Sequence, residues 1–184
     1  MPFVTTGIEG VLIFEPAVYK DERGYFFESY NEQTFHKQGV TNRFVQDNQS
    51  FSKHGVIRGL HYQLDPYPQT KLVRVLQGSI LDVAVDIRKG SPTYGKYVSV
   101  ELSSDNKRQL LVPRGFAHGF SVLSQTAEVS YKCDGLYSKD SEGGIRFDDP
   151  QLNIDWQLPL DKAIVSEKDL ALPTFADCKN NFKF

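Results

Sequence analysis

At 184 residues, with 40% hydrophobic and 24% charged side chains, the chain has the make-up of an ordinary globular protein and the length of one domain, 1–184. A net charge of −2 gives no electrostatic reason to expect duplex nucleic acid or an anionic membrane as partner, so a phosphate ligand would need a local basic cluster. The 12% aromatic content, with 14 Gly and 9 Pro, points to short strands and many turns.

The opening MPFVTTGIEGVLIFEP has no basic segment, and Glu15 and Pro16 break its apolar run. Neither a signal peptide nor a spanning helix is legible, and the cytoplasm is the default location. Val11 to Phe14 reads as a strand closed by Pro16, and DERG at 21–24 as a turn into a strand from Tyr25 to Tyr30. On that strand Tyr25, Phe27 and Ser29 share one face while Phe26, Glu28 and Tyr30 share the other, so both faces need cover from a second layer or another subunit. Asn31 is placed to cap a two-turn helix, EQTFHKQ, that stops at Gly39.

From Phe44 the pattern becomes strand, turn, strand: 44–50, 56–63, 71–76, 80–87, 97–103, 109–112, 117–123 and 127–133. Segments at roughly ten-residue spacing predict an all-β antiparallel sandwich or barrel. The runs either side of Pro66 and Pro68 read as neighbouring strands folded back on one another, which would bring His61 and Lys71 into one pocket. In SILDVAVDIR, Leu81, Val83, Val85 and Ile87 form an apolar face opposite Asp82, Ala84 and Asp86, predicting one core face and one wet or functional face. Tyr137 to Pro150 is loop-like, with Gly143 and Gly144, and a short helix signal near SEKD precedes Pro173. Cys133 and Cys178 are two and widely separated, which fits reduced thiols better than a disulfide framework.

Polar groups are densest in QDNQSFSKHGVIRGLHYQLDPYPQTK, residues 46–71. His61 is the candidate general base there, because imidazole takes and returns protons near neutral pH; a hydrogen-bonded structural His is the alternative. Arg58 and His61 have opposite parity and cannot share a face of a regular strand, so Gly59 between them is a natural bulge site. Lys71, heading the apolar run KLVRVL, suits charge stabilisation of an oxyanion, or else snorkels to solvent. Asp82 is placed either to hold that ammonium or to be solvated. Tyr131 shares a face with Ala127, Val129 and Cys133, as a proton donor or a core phenol. Ser166-x-x-Asp169 reads as a capping box, which would account for Asp169 fully, or Asp169 orients His61.

Pro113-x-Gly115-x-x-His118 is similar to the second motif of cupins, and GVIRGLHYQ, residues 55–63, to the first. The metal-bearing version needs H-x-H followed by Glu; here Gln63 replaces the second His and the Glu is missing, which predicts a scaffold with no metal or other cofactor. Across Gly7 to Pro173 the motifs DERGYFFESYN, FVQDNQS, GVIRGLHYQ, KLVRVLQGSILDVAVDIRKGSPTYG, NKRQLLVPRGFAHGF, YKCDGLYS and SEKDLALP resemble the dTDP-4-dehydrorhamnose 3,5-epimerase family.

The resemblance implies an all-β, cupin-type jelly-roll β-sandwich with a few short helices, paired as a homodimer with exchanged N-terminal strands. It implies conversion of dTDP-4-dehydro-6-deoxy-α-D-glucose to dTDP-4-dehydro-β-L-rhamnose. His61 would be the base, Asp169 its orienting carboxylate, Tyr131 the acid on the opposite sugar face, and Lys71 the enolate's charge partner. Arg58 would lie near sugar and phosphate. The dTDP-sugar would also meet Gln46, Asn48, His118, Glu142 and Lys168, with Tyr137 stacked on thymine and Arg23 and Glu28 supplied by the partner's strand. Gly135 departs from the bulkier residue of many relatives, with consequences for the Tyr137 loop. Related cupins that invert only C3 or only C5, a metal-dependent cupin oxygenase, and a non-catalytic sugar-nucleotide-binding cupin are the other readings.

Overall fold

The computed structural model describes residues 2–184. In chain order β1 (Phe3–Thr5), β2 (Leu12–Phe14), β3 (Val18–Asp21) and β4 (Gly24–Phe27) precede the helix α1 (Glu32–Lys37). Then come β5 (Gln46–Lys53), β6 (Ile57–Gln63), β7 (Lys71–Gln77), β8 (Ser79–Asp86) and β9 (Tyr97–Ser103). They are followed by β10 (Gln109–Val112), β11 (Phe116–Val122), β12 (Thr126–Cys133), β13 (Glu142–Gly144) and the single-turn helix α2 (Glu167–Leu170). The strands predicted from Phe44 onward all form, with ends within three residues of those expected.

A six-stranded sheet runs β1-β2-β10-β7-β12-β5, a five-stranded sheet runs β13-β6-β11-β8-β9, and β3 and β4 form a separate hairpin. Every strand pair is antiparallel. The two large sheets face one another across a core of Val73, Val75, Leu110 and Val129 from the first and Ile80, Leu102, Phe120 and Val122 from the second. This is a sandwich, with inward side chains alternating along each strand.

Several expectations change. The runs flanking Pro66 and Pro68, β6 and β7, are not neighbours: they lie in different sheets, and the proline-bearing loop crosses between the layers. His61 and Lys71 therefore face each other across the sandwich. The β8 strand has no wet face either. Its Leu81, Val83, Val85 and Ile87 lie under a second core made by the chain after β13, including Ile145, Phe147, Trp156 and Phe175. Its opposite face points into the sandwich, where Asp82 and Asp86 are buried with Ala84. Alternation in a single strand cannot reveal that a distant tail covers its outer side.

Helix α1 forms as expected. The Asn31 side chain accepts from the Thr34 N–H at 3.2 Å, and Gly39 at φ +88° ends the helix. Phe35 is fully buried against the rings of Phe3, Phe14 and Tyr30, each 5.0 Å away centre to centre, and pins the helix to the outer face of the six-stranded sheet. The strand expected at 25–30 is shorter and pairs only with β3. Phe26 is 70% exposed on it, while Tyr30 packs with the helix. Gly143 and Gly144, read as loop, form β13 and pair with Tyr62 and His61 of β6. Glycine permits this because a Cβ at Gly144 would come within 2.7 Å of the Leu60 carbonyl oxygen.

Phe35→Ala empties the centre of a four-ring cluster. A loss of about 3–5 kcal/mol in unfolding free energy is expected, read from urea denaturation.

Candidate active site

The site begins with a bulge. Along β11, His118 stands opposite His61 and Phe120 opposite Arg58, so two steps on β11 match three on β6. The extra residue is accommodated at Gly59, whose φ of +109° suits glycine, and a Cβ there would lie 2.7 Å from both the His118 carbonyl oxygen and the Gly119 Cα. The bulge brings Arg58 and His61, of opposite parity, to line the same cavity.

That cavity, of about 550 Å³, opens between the sheets. The five-stranded sheet contributes Arg58, His61 and His118; the six-stranded sheet contributes Lys71 and Tyr131; α2 contributes Asp169 and Lys168. The His61 Nε2 pairs with Asp169 Oδ1 at 2.7 Å, and Asp169 Oδ2 accepts the Gly59 N–H at 3.1 Å. Ser166 Oγ accepts the Asp169 N–H at 3.1 Å. The serine thus caps α2, but the capping box does not account for Asp169 in full: its carboxylate turns away from the cap to the histidine and the Gly59 N–H. Burial pushes the Asp169 carboxyl up, but the His61 ring and the Gly59 and Ser166 hydrogen bonds outweigh it, leaving it below the usual carboxylate range.

Lys71 is half-buried, with its Nζ 5.9 Å from the centre of the Tyr131 ring, and has no ion-pair partner among the described residues. Burial pushes its ammonium down from the ordinary lysine range, against the opposing pull of Cys133, Asp82 and Glu142. Burial pushes the Tyr131 phenol up, so it keeps its proton at neutral pH. The Arg58 Nε donates to Ser52 Oγ at 3.0 Å. Asp82, expected to hold Lys71 or face solvent, is fully buried and meets His118 Nε2 through Oδ1 at 2.8 Å.

A second lobe of about 360 Å³ shares His61, Lys71 and Tyr131 and adds Gln46, Asn48, Tyr137 and Glu142. Gln46 donates to Asn48 Oδ1 at 3.0 Å and accepts the Tyr137 N–H at 3.2 Å. The Tyr137 hydroxyl donates to Glu142 at 3.1 Å, and Lys168 Nζ meets both Glu142 oxygens at 2.7 Å. The loop charges Glu142 and Lys168 thus form one polar rim with Tyr137. His118 lines the first lobe beside His61 and is absent from the second.

Gln63 fills the place of the missing metal-ligand histidine as a loop tie, donating to the Tyr67 carbonyl at 2.7 Å and accepting the Ser138 N–H at 2.8 Å. Among the described residues no three His, Cys, Asp or Glu side chains gather as a metal set. Gly135 is tied by Gln69, whose Nε2 donates to its carbonyl at 2.7 Å, and a Cβ there would stand 3.3 Å from the Pro68 carbonyl oxygen. Arg23 and Glu28 lie outside both lobes of their own chain: Arg23 is 86% exposed on the β3–β4 turn and paired with Asp21, and Glu28 accepts from Asn31. Sequence reading missed the apolar end of the cavity, Val56, Phe120, Ile164 and Val165. Ile164 reaches it by pairing its backbone with Gly55 and Ile57, a docking that no local pattern announces.

A model of dTDP-4-dehydrorhamnose 3,5-epimerases matches residues 5–177. The chain belongs to this family. The dTDP-4-dehydrorhamnose 3,5-epimerase of Shigella flexneri is 54% identical over 178 residues, covering 96% of this chain and 97% of the relative. The crystal structure of the family member from Elizabethkingia anophelis NUHP1 matches with a TM-score of 0.93 at 53% identity, over 97% of this chain and 98% of that one. That of a dTDP-6-deoxy-D-glucose-3,5-epimerase from Legionella pneumophila Philadelphia 1, in complex with dTDP-4-keto-L-rhamnose, matches at 0.91 and 50% identity, over 95% and 93% of the two chains. The sandwich is accordingly the cupin-type jelly roll of the dTDP-4-dehydrorhamnose 3,5-epimerase family.

Two measurements test this geometry. Gly59→Ala is expected to lower stability by about 2–4 kcal/mol in urea denaturation, because the β6–β11 contact has no room for a methyl group. Asp169, held below its unfolded value of ~3.9, stabilises the fold above that pH, and this contribution disappears as pH falls through the lower folded value. The urea midpoint of the wild type should therefore decline below about pH 5, and Asp169→Asn should flatten that decline.

Proposed function

We propose that this chain is a dTDP-4-dehydrorhamnose 3,5-epimerase that inverts C3 and C5 of dTDP-4-dehydro-6-deoxy-α-D-glucose, giving dTDP-4-dehydro-β-L-rhamnose. The observation that carries the reading is the His61–Asp169 pair on one wall of the cavity and Tyr131 on the other, with Lys71 beside the phenol. The C4 ketone acidifies the hydrogens at both neighbouring carbons, so one base and one opposed acid serve two centres and no cofactor is required.

Asp169 accepts from the Nε2 side of His61, which leaves Nδ1 of the neutral ring as proton acceptor. His61 takes the proton from C3 or C5; the electron pair moves onto the C4 oxygen, where the Lys71 ammonium meets the enolate charge. Tyr131, its proton held by burial, protonates the carbon from the opposite face and inverts it. The tyrosinate regains a proton and His61 releases its own before the second cycle. A cavity walled by Phe120, Ile164 and Val165 limits water around the enolate.

The second lobe is assigned to the nucleotide: Gln46 and Asn48 as amide contacts, Tyr137 as the stacking ring, and Glu142 and Lys168 as its polar rim. His118 and Arg58 face the sugar and the adjoining phosphate. Arg23 and Glu28 fit a homodimer in which the β3–β4 hairpin of a second copy completes the nucleotide site. The exposed Tyr19, Tyr25 and Phe26 support this, since such a hairpin is costly to leave in water. A guanidinium fork there suits a pyrophosphate oxygen. The cytoplasm suits the unpaired Cys133 and Cys178, and among the described residues no helix is long and apolar enough to cross a membrane.

Incubation with the 4-keto sugar nucleotide in deuterated water, followed by proton NMR, is expected to place deuterium at C3 and C5. His61→Ala should slow both exchanges by about 10²–10⁴-fold. Tyr131→Phe should retain exchange while losing inversion, because the proton then returns from the face it left. Label at one carbon alone would make the chain a monofunctional epimerase, and binding without label would make it a sugar-nucleotide-binding protein.

A further inference from the structure

Among the described residues two buried side-chain oxygens have no hydrogen-bond partner, Ser50 Oγ and Asp82 Oδ2. Ser50 lines the cavity, where a ligand can satisfy it. Asp82 is different. It is 0% exposed, behind the cavity wall, on the β8 face that points into the sandwich, and a carboxylate oxygen left bare there is expensive. Such a group persists where its charge serves a neighbour.

Its neighbours are two cavity residues. Asp82 Oδ1 stands 2.8 Å from His118 Nε2, and Lys71 enters from the opposing sheet with no ion pair of its own among the described residues. We infer that Asp82 is a positioning residue for the proposed reaction: one oxygen fixes His118 with its proton on Nε2, and the other is the buried anion against which the Lys71 ammonium is set. The inference rests on Lys71 and His118 serving that reaction.

The arrangement has a chemical consequence. Burial lowers the His118 imidazole, so the ring is neutral near pH 7, and donation to Asp82 leaves Nδ1 as an acceptor. Among the described residues the one hydrogen bond of this ring is through Nε2, and the ring lines the cavity. The sugar end thus presents a cationic donor, Lys71, beside a neutral acceptor, His118, a pair suited to an oxyanion flanked by a hydroxyl. A second imidazole–carboxylate pair therefore lies directly across the ladder from His61 and Asp169, since His118 and His61 are opposite one another in register. In both pairs the carboxylate is buried; His61 is the more exposed of the two rings, and His118 shows only a small part of its edge to the cavity.

Lys71 is faced by Asp82 from β8, Tyr131 and Cys133 from β12, Glu142 from β13, and His118 from β11. Of these, Asp82 and Glu142 are the carboxylates, and Glu142 is already held by Lys168 and the Tyr137 hydroxyl. Removing the Asp82 charge leaves the ammonium without its uncommitted counter-ion, so Lys71 should lose its proton at lower pH.

Asp82→Asn keeps the shape and an acceptor for His118 while deleting the charge. With carbon-13 at lysine Cε, and the Lys71 signal assigned by its loss in Lys71→Gln, the titration midpoint is expected to fall by about one pH unit. The alkaline limb of kcat for the proposed epimerisation should move down with it, with KM changed less than about twofold. Asp82→Ala should in addition release the His118 tautomer, seen as a mixture in nitrogen-15 histidine spectra. An unmoved Lys71 midpoint in Asp82→Asn, or a wild-type His118 protonated at Nδ1, overturns the inference. The wild-type tautomer decides even where the variant fails to fold. A wild type that titrates as described yet exchanges no substrate hydrogen overturns the proposed function instead, leaving the electrostatic pairing in place.

Discussion

Asp169 gives one oxygen to the His61 ring and the other to the Gly59 N–H, and most of the surrounding structure serves that double contact. The carboxylate comes from a one-turn helix 108 residues downstream of the histidine, so it is held by tertiary packing and by its serine cap rather than by its own element. The Gly59 N–H is available because the bulge turns it out of the ladder toward α2. The same distortion that aims Arg58 and His61 into one cavity thereby supplies the second contact of the carboxylate paired with His61. A regular strand would forfeit both at once.

Around this pair the sandwich sorts charge by depth. His61 stays half-exposed with a sealed carboxylate behind it, while Lys71 and Tyr131 sit on the far wall, where burial weakens the hold of the lysine on its proton and strengthens that of the phenol. Those opposite directions suit the proposed roles: a phenol that remains protonated can donate, and an ammonium short of counter-ions gains most from a developing oxyanion. The two walls belong to different sheets, so the distance between His61 and Tyr131 is set by the spacing of the layers and not by any one loop.

Much of this was legible in the chain. Period-two alternation gave the strands from Phe44 onward, Asn31 and Gly39 bracketed the helix, and the parity clash of Arg58 and His61 foretold the bulge at Gly59. What escaped was what alternation does not encode. The loop with Pro66 and Pro68 has the look of a hairpin, yet the layer crossing depends on which sheet each strand finally joins. Gly143 and Gly144 carry no strand propensity, and they pair with β6 because their lack of side chains lets the backbones approach. Asp82 stood out from the less apolar face of its strand as a holder of Lys71; that the register of β8 against β11 also puts its Oδ1 on His118 is not visible from one strand. Arg23 and Glu28 cannot be placed at a site by local pattern, since neither reaches the cavity of this chain.

The tail after β13 covers the outer face of the five-stranded sheet with Ile145, Phe147, Trp156 and Phe175, and it also delivers Asp169. The His61–Asp169 contact is thereby tied to the docking of a segment that lies outside the inter-sheet core. Such a segment can detach in a partial opening that costs less than global unfolding. In a warmed or mutated population, molecules would then exist whose strands are intact but whose histidine has no carboxylate behind it. Inactivation would run ahead of melting, and the gap between the two would measure how firmly the tail is seated.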